Sequence, residues 1–419
     1  MPETIGVLCY NSGMDKRRFI GLRISALMFV QYMMLPVWLL PLLPYVETLD
    51  GGAGWMFAFG VLSGIGTFAS PFVCMFADRF LNGERVLAIC NAVTAALLFA
   101  AFFTASLPVL FALLLLALVV YMPSWSVSSA IAMEHSSPVA FPRYRTLGSL
   151  GWVASGVFSI VAAKWFGKAD FDSSRWIFAA GAGLAALGTA IALVQPPTPP
   201  RARGTRLSVA DAFGLRAFSL FRDRNFAVFA TLLLLAMVPF QWYMVYNPVY
   251  LSESGYRYLT MTQNIGQAGE IVFMLLIPFA VRRFGYRAAF SAGLGFLALR
   301  YLLFFLAARC GFAAGNFGGI VVHGLIFGLV VVVAQMYVGE YAPAALRNQA
   351  QGLVILLTSG LGLFLSNLVM HPLIAASARA VPSGGHDWSL PFMVSCTLSV
   401  LLAVAAAVLF KPCVRAGKD

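Results

Sequence analysis

The chain has 419 residues, 60% of them hydrophobic and only 11% charged, and a mean hydropathy of +0.85. A soluble domain carries roughly 25% charged residues, so this composition excludes a water-soluble fold and points to helices buried in a bilayer. The net charge of +12 could suit nucleic acid, but the basic residues sit in short stretches between apolar runs, which makes them membrane-flanking loops instead.

A membrane-spanning helix needs roughly 20 apolar residues. In chain order, such runs fall near 20–45, 53–76, 86–105, 107–133, 147–166, 175–195, 226–250, 262–281, 288–308, 316–339, 350–374 and 389–410. The longer ones imply tilt or extension past the bilayer. The opening MPETIGVLCYNSGMDKRRF places its charges before a long run and has no small-residue cleavage site, so no cleaved signal peptide is expected.

Charge sorting gives the orientation. With the N-terminus inside, twenty of the 28 Lys and Arg residues fall on the cytoplasmic side. Lys164, Lys168, Arg175, Arg257, Arg309 and Arg379 fall outside, and Arg23 and Arg300 lie in or at the edge of spans. One span more or fewer would flip every later loop and blur this contrast, so an even number with both termini cytoplasmic is expected.

The longest polar stretch, QPPTPPRARGTRLSVADAFGLRAFSLFRDRN, separates the sixth and seventh runs. Phe213, Leu215, Phe218, Leu220 and Phe221 have helical spacing within it, which predicts a short amphipathic helix on the cytoplasmic face. The expected architecture is all-α: twelve transmembrane helices in two pseudo-symmetric six-helix bundles, residues 1–195 and 226–419, joined by a linker over 196–225. Secondary transporters built from two halves hold their ligand near the midplane between them. A weak internal echo supports two halves, since FADRFLNGERV follows the second run and AVRRFGYRAAF the eighth. Asp78 in the first of these turns is placed to cap or pair with a neighbouring Arg, and the turn resembles the loop signature of the major facilitator superfamily.

Ionisable residues at membrane depth are costly and usually functional. Glu270, in QNIGQAGEIVFMLLIPF, shares a helix face with Gln267 and Gln263. Gly266 and Gly269 beside them permit close approach. A carboxylate in such surroundings can exchange a proton near neutrality, so Glu270 is a candidate proton-coupling acid that also binds substrate; the bland reading is an ion pair with Arg145 or Arg300. Arg145, Ser149 and Trp152 form one stripe in FPRYRTLGSLGW, suited to a polar ring-bearing ligand, although Arg145 could equally be a positive-inside anchor. Gln241 lies between Pro239 and Pro248, where a kinked or broken helix is expected, and it is read as a site residue. The nearby Tyr246 and Tyr250 are read as an interfacial belt. His323, with Phe327 one turn on, is either a structural histidine or part of a proton relay. Arg300 is expected to pair with an acid or a carbonyl.

The six cysteines show no metal or disulfide spacing. No P-loop, HExxH, GxSxG or TVGYG-like filter is present, which argues against an ATP-driven pump, an enzyme or a potassium-type channel. No cofactor or metal is expected.

With these residues in view, the chain resembles the bacterial nucleoside:proton symporters of the major facilitator superfamily over roughly residues 20–411. The likeness rests on the order and spacing of FADRFLNGERVLAIC, Tyr121–Pro123, FPRYRTLGSLG, DAFGLRAFSLFRDRNFAVF, QAGEIVFMLLIPFAVRRFGYR and LRNQAQG. It implies that a nucleoside lies between the halves, in contact with Arg145, Ser149 (a threonine in the best-known members), Trp152 (an aromatic there), Gln241, Gln267, Glu270 and Phe327, with the proton carried by Glu270. Three positions depart from the family pattern: Met244 stands for an asparagine, His323 for a tyrosine and Gly328 for an aspartate. Loss of that aspartate leaves proton coupling to Glu270, with His323 as a second candidate. The resemblance implies a multi-pass protein of the cytoplasmic membrane, a monomer, taking up nucleosides with protons. The rival readings are a same-fold symporter for a sugar or modified nucleoside, a drug exporter and a non-transporting receptor.

Overall fold

The structure is a computed structural model that describes residues 19–68, 80–136, 141–200, 215–274, 276–343, 346–379 and 385–412. Every regular element among them is helical. The chain runs through α1 (Phe19–Glu47) and α2 (Gly52–Phe68), α3 (Gly83–Phe102) and α4 (Leu107–Glu134). It continues through α5 (Phe141–Ala154), α6 (Val157–Phe166) and α7 (Trp176–Leu193). Then come α8 (Arg224–Glu253), α9 (Leu259–Met274) and α10 (Ile277–Cys310), and finally α11 (Ala314–Tyr341), α12 (Gln349–Ala378) and α13 (Ser389–Leu409). Among the described residues, nine helices are long and apolar enough to cross a membrane, or ten if α5 and α6 form one bent span.

The departures from regularity have local causes. Helices α5 and α6 meet at 40° around Gly156, where an added Cβ would sit 2.6 Å from the Met261 Cα; the α9 backbone comes too close for any side chain. The spans expected at 262–281 and 288–308 meet inside α10 at Gly285, whose φ of 80° and ψ of 164° are not helical. Only glycine adopts that conformation without strain, so the AVRRFGYRAAF turn ends one span and begins the next there. By contrast, α8 continues through both Pro239 and Pro248. Of the kink or break expected there, the break is absent.

Helix α3 packs along α4 and α7, and α10 packs along α13. The helices before residue 195 and those after 224 meet chiefly through α2 against α12, α5 against α9, and the end of α1 against α8. The α2–α12 and α5–α9 seams need small residues. A Cβ on Gly60 would lie 2.4 Å from Asn367 Oδ1, and one on Gly64 would lie 3.2 Å from the Leu363 side chain. On the far side, Leu401, Val404 and Val408 of α13 are exposed, as a lipid-facing stripe should be.

Tyr246 and Tyr250 do not form an interfacial belt. Both are buried: Tyr246 meets His371 Nδ1 at 3.1 Å, and Tyr250 donates to Asn316 Oδ1 at 2.7 Å. They point into the later helices of the chain, where the aromatic cluster of Trp242, Tyr301, Trp388 and Phe392 stacks.

At the basic end, the chain leaving α7 is pinned. Thr198 N–H donates to Glu84 Oε2 at 2.8 Å, its carbonyl accepts from Gly83 N–H at 2.9 Å, and its hydroxyl meets His135 at 3.0 Å. Residues 201–214 and the loop turn at 69–79, including Asp78, lie outside the described residues. The described part of the expected amphipathic segment is a 3-10 helix, Leu215–Arg222, with Ala217 and Leu220 buried and Phe218 exposed. Asp223 then caps α8, accepting from Asn225 N–H at 2.7 Å and Phe226 N–H at 3.3 Å.

Candidate functional site

Most of the ligand residues expected from the sequence stand on α5, α8, α9 and α11. Two close helix contacts bring them together. Gly151 of α5 lies so near α1 that a Cβ there would come within 2.0 Å of the Phe29 carbonyl. Gly324 of α11 lies so near α9 that a Cβ would meet Glu270 N and Gly269 C, each at 2.5 Å. Gly266 faces His323 in the same seam. These glycines let α9 and α11 touch backbone to backbone, which places Gln267 against His323.

On one side, the Arg145 guanidinium lies 4.4 Å over the Tyr32 ring. Tyr32 stacks on Trp125 at 5.1 Å, and Trp125 meets Trp152 edge-on at 6.0 Å. Trp125 donates to the Tyr121 hydroxyl at 3.0 Å, and Tyr121 donates in turn to the Gln31 carbonyl. Tyr32 and Trp125 were not legible as site residues, because they sit inside long, largely apolar runs on α1 and α4. Their ring contacts join helices about 90 residues apart in the chain. Ser149 is half-buried on the same stripe, and the buried Trp152 Nε1 has no hydrogen-bond partner.

On the other side, Gln241 donates to the Thr358 carbonyl at 2.9 Å, within a stretch of α12 wound as a π-helix, Leu356–Gly360. The Gln267 amide meets His323 Nε2 at 2.7 Å, and His323 Nδ1 meets Arg300 at 2.8 Å. The His323 ring stacks near Phe240 and Tyr243 and tilts toward Phe327 at 6.4 Å. Phe327 opens a second π-helical stretch, Phe327–Val332; such bulges recur at functional sites. Arg300 is fully buried and takes the carbonyl of the pair expected for it, not the acid. Its Nε donates to the Gly319 carbonyl at 3.2 Å, and its guanidinium lies 3.9 Å over the Tyr243 ring. Glu270 is half-buried and makes no hydrogen bond or ion pair among the described residues. Arg145 is the opposite charge that acts on it, and neither Arg145 nor Arg300 is close enough for an ion pair.

The departures from the family pattern have structural settings. Asn247 is buried and donates to Gln263 Oε1 at 3.3 Å, so it links α8 to α9. A Cβ on Gly328 would meet the Ile277 side chain at 2.6 Å, so this position is packed against α10.

A polar cluster ties the two sets of helices together at the end opposite the basic loops. Asp172, buried in the turn before α7, accepts through Oδ1 from the Ser159 hydroxyl and the Thr260 hydroxyl, both at 2.8 Å. Its Oδ2 accepts from Thr260 N–H at 3.2 Å, at the start of α9. Burial pushes the Asp172 carboxyl up from the ordinary range, and these hydrogen bonds oppose the push. One turn along α9, Asn264 Nδ2 donates to the Trp152 carbonyl at 3.1 Å and to Ser155 Oγ at 3.0 Å. Nearby, Glu253 accepts from His386 Nδ1 at 2.6 Å and Trp388 Nε1 at 2.7 Å, and Glu47 lies 4.0 Å from the same His386 nitrogen. Glu47, Glu253 and His386 could together offer three ligand atoms to a metal.

A bundle of apolar helices with polar groups gathered between its two sets of helices defines a secondary transporter, not an enzyme. The chain belongs to the nucleoside H+ symporter family, whose model matches residues 19–415; the activity of that family is proton-coupled nucleoside transport. It is a multi-pass membrane protein. The chain is 31% identical to the putative nucleoside transporter YegT of Escherichia coli strain K12, over 93% of each chain. It is 26% identical to the xanthosine permease of the same strain, over 92% of this chain and 94% of the other. A crystal structure of the nucleoside transporter NupG superposes with a TM-score of 0.84 at 23% identity, covering 94% of this chain and all of the other. That likeness places the fold among major facilitator structures.

Proposed function

We propose that this protein takes up nucleosides together with protons across the bacterial inner membrane by alternating access. In this reading the chain crosses the membrane twelve times, in two bundles over 1–195 and 226–419 joined by the linker 196–225, works as a monomer, and has both termini in the cytoplasm. The basic end then faces the cytoplasm, and the Asp172 seal closes the outer side. The nucleoside lies between Arg145, Ser149 and Trp152 on one side and Gln241, Gln267, Glu270, His323 and Phe327 on the other. Trp152 and Phe327 wall the base, and the amides bond its edge or the sugar hydroxyls.

Glu270 carries the reading: a carboxyl at membrane depth with no partner among the described residues has a reason to be there only if something arrives to pair with it. Binding a proton removes its charge, which lowers the cost of enclosing it when the halves reorient. His323 accepts from a guanidinium at Nδ1, and this favours a hydrogen-bonding role for it over a second proton in this conformation.

The test is uptake of radiolabelled nucleosides into proteoliposomes with and without an inward proton gradient. Gradient-stimulated accumulation is expected. Glu270→Gln should remove at least about tenfold of the gradient-driven accumulation while leaving downhill equilibration. A mutant that still concentrates nucleoside in response to the gradient would take the proton role away from Glu270.

A further inference from the structure

The buried Arg300 makes an unusual contact for a cation inside a membrane bundle. Among the described residues it faces no carboxylate, and one terminal nitrogen, Nη1, makes no hydrogen bond. Its other terminal nitrogen, Nη2, lies 2.8 Å from His323 Nδ1. A guanidinium can only donate, so Nδ1 accepts and carries no hydrogen. The neutral ring then bears its proton on Nε2, and the atom 2.7 Å away at the end of the Gln267 side chain must accept it. Oxygen and nitrogen of a side-chain amide are distinguished by such a network, so the Gln267 oxygen is turned toward His323. The amide NH2 is left facing the other way. Gln267 is half-buried, makes no second hydrogen bond among the described residues, and stands one turn before Glu270 on α9.

We propose that Arg300 is a specificity-determining positioning residue: through His323 it fixes Gln267 so that its amide NH2 faces the ligand, which selects permeants presenting an oxo group there over those presenting an amino group. The relay runs one way, guanidinium to imidazole to amide oxygen, because its first member cannot accept. An amino group placed opposite Gln267 would meet donor against donor, and an unmade hydrogen bond in a partly dry site disfavours binding. Close packing holds the relay: Gly319 of α11 stands against Phe304 on α10, and Gly266 of α9 against His323 on α11. The amide cannot flip without leaving His323 Nε2–H unsatisfied.

The inference rests on the nucleoside reading, and the experiment separates the two. Uptake of labelled inosine and adenosine, which differ by oxo and amino at one ring carbon, is measured in proteoliposomes for the unaltered protein, Arg300→Met, Arg300→Lys and His323→Leu. The unaltered protein should favour the oxo member by ~10-fold or more. Arg300→Met and His323→Leu should bring the ratio to within about twofold, by gaining adenosine uptake as well as losing inosine uptake; Arg300→Lys, which still donates to Nδ1, should restore the preference. Should Arg300→Met fail to fold, His323→Leu decides. A ratio that stays at the unaltered value in the folded variants, or a preference for the amino member in the unaltered protein, overturns the proposal. Absence of any nucleoside uptake by the unaltered protein overturns the nucleoside reading, and the proposal falls with it.

Discussion

The seal at Asp172 and the site around Glu270 occupy the same seam between the two sets of helices, yet their polar groups are treated in opposite ways. At the seal, Asp172 takes three hydrogen bonds from Ser159 and Thr260, and Asn264 spends its amide hydrogens on carbonyl and hydroxyl oxygens of α5 and the bend after it. At the site, the Glu270 carboxyl, the second end of the Gln267 amide and the Trp152 indole N–H find no partner among the described residues. Buried polar groups are normally satisfied. The Asp172 carboxylate follows that rule among the described residues; beside it only Asn264 Oδ1 is left without a hydrogen bond. In the proposed reading, the site leaves its groups for a molecule from outside. A polar cluster that completes itself holds a conformation, and one left incomplete binds.

The comparison breaks most readily at Asp172. Asp172→Ala removes a buried acceptor and leaves the Thr260 and Ser159 donors unpaired, at a cost on the order of 3 kcal/mol. A Ser149→Cys reporter in the site should then react with an impermeant thiol reagent added from outside at least about tenfold faster. An unchanged rate would mean that Asp172 does not hold the seal shut.

Gly324→Ala tests the site. Its Cβ would strike the α9 backbone, not a flexible side chain end, so α11 should move off α9 at a cost of about 1–3 kcal/mol. The expected result is a thermal midpoint lower by several degrees and weaker nucleoside binding. Loss of stability with unchanged binding would show that the site tolerates this shift.

The smallest effect is expected at His386, on the rim of the seal. Burial lowers the proton affinity of its ring, but the hydrogen bond from its Nδ1 to Glu253 and the charges of Glu253 and Glu47 outweigh this and hold the imidazole pKa above its ordinary value. The sealed state therefore binds that proton more tightly than an open one. Its contribution to closure is fully present below the ordinary histidine pKa of about 6.5 and is lost as the outside pH rises through the raised value. The pair is partly solvent-screened, so the change in reporter labelling between acid and neutral pH should be less than about threefold. His386→Ala should flatten it; a profile that keeps its slope assigns the titration elsewhere.

The apolar runs and their lengths made the helical architecture legible, and the stripes on α5 and α9 picked out Arg145, Ser149, Trp152, Gln267 and Glu270 because helical spacing is local. The rest depended on partners far away in the chain. Tyr32 and Trp125 look like ordinary lipid-embedded aromatics until α1 and α4 cross. Asp172 looks like a loop acid until α9 begins beside it, 88 residues later. Tyr246 and Tyr250 have the composition of a headgroup belt, and the packing of α8 against α10, α11, α12 and α13 turns them inward. The bend at Gly156 is likewise dictated by the approach of Met261, which no pattern around residue 156 records.

Thr260, Asn264, Gln267 and Glu270 recur at intervals of four, three and three residues along α9, so they form one stripe on a single stiff rod. At 1.5 Å per residue, the first and last lie roughly 15 Å apart. One end of the rod is clasped by an acid from the other set of helices, and the opposite end carries the carboxyl assigned to the proton. Whatever loosens the clasp must tilt or slide the carboxyl, and whatever grips the carboxyl must tug on the clasp. Such linkage is reciprocal by thermodynamic necessity, so in the proposed reading α9 is the lever through which the occupancy of the membrane's middle is felt at its surface.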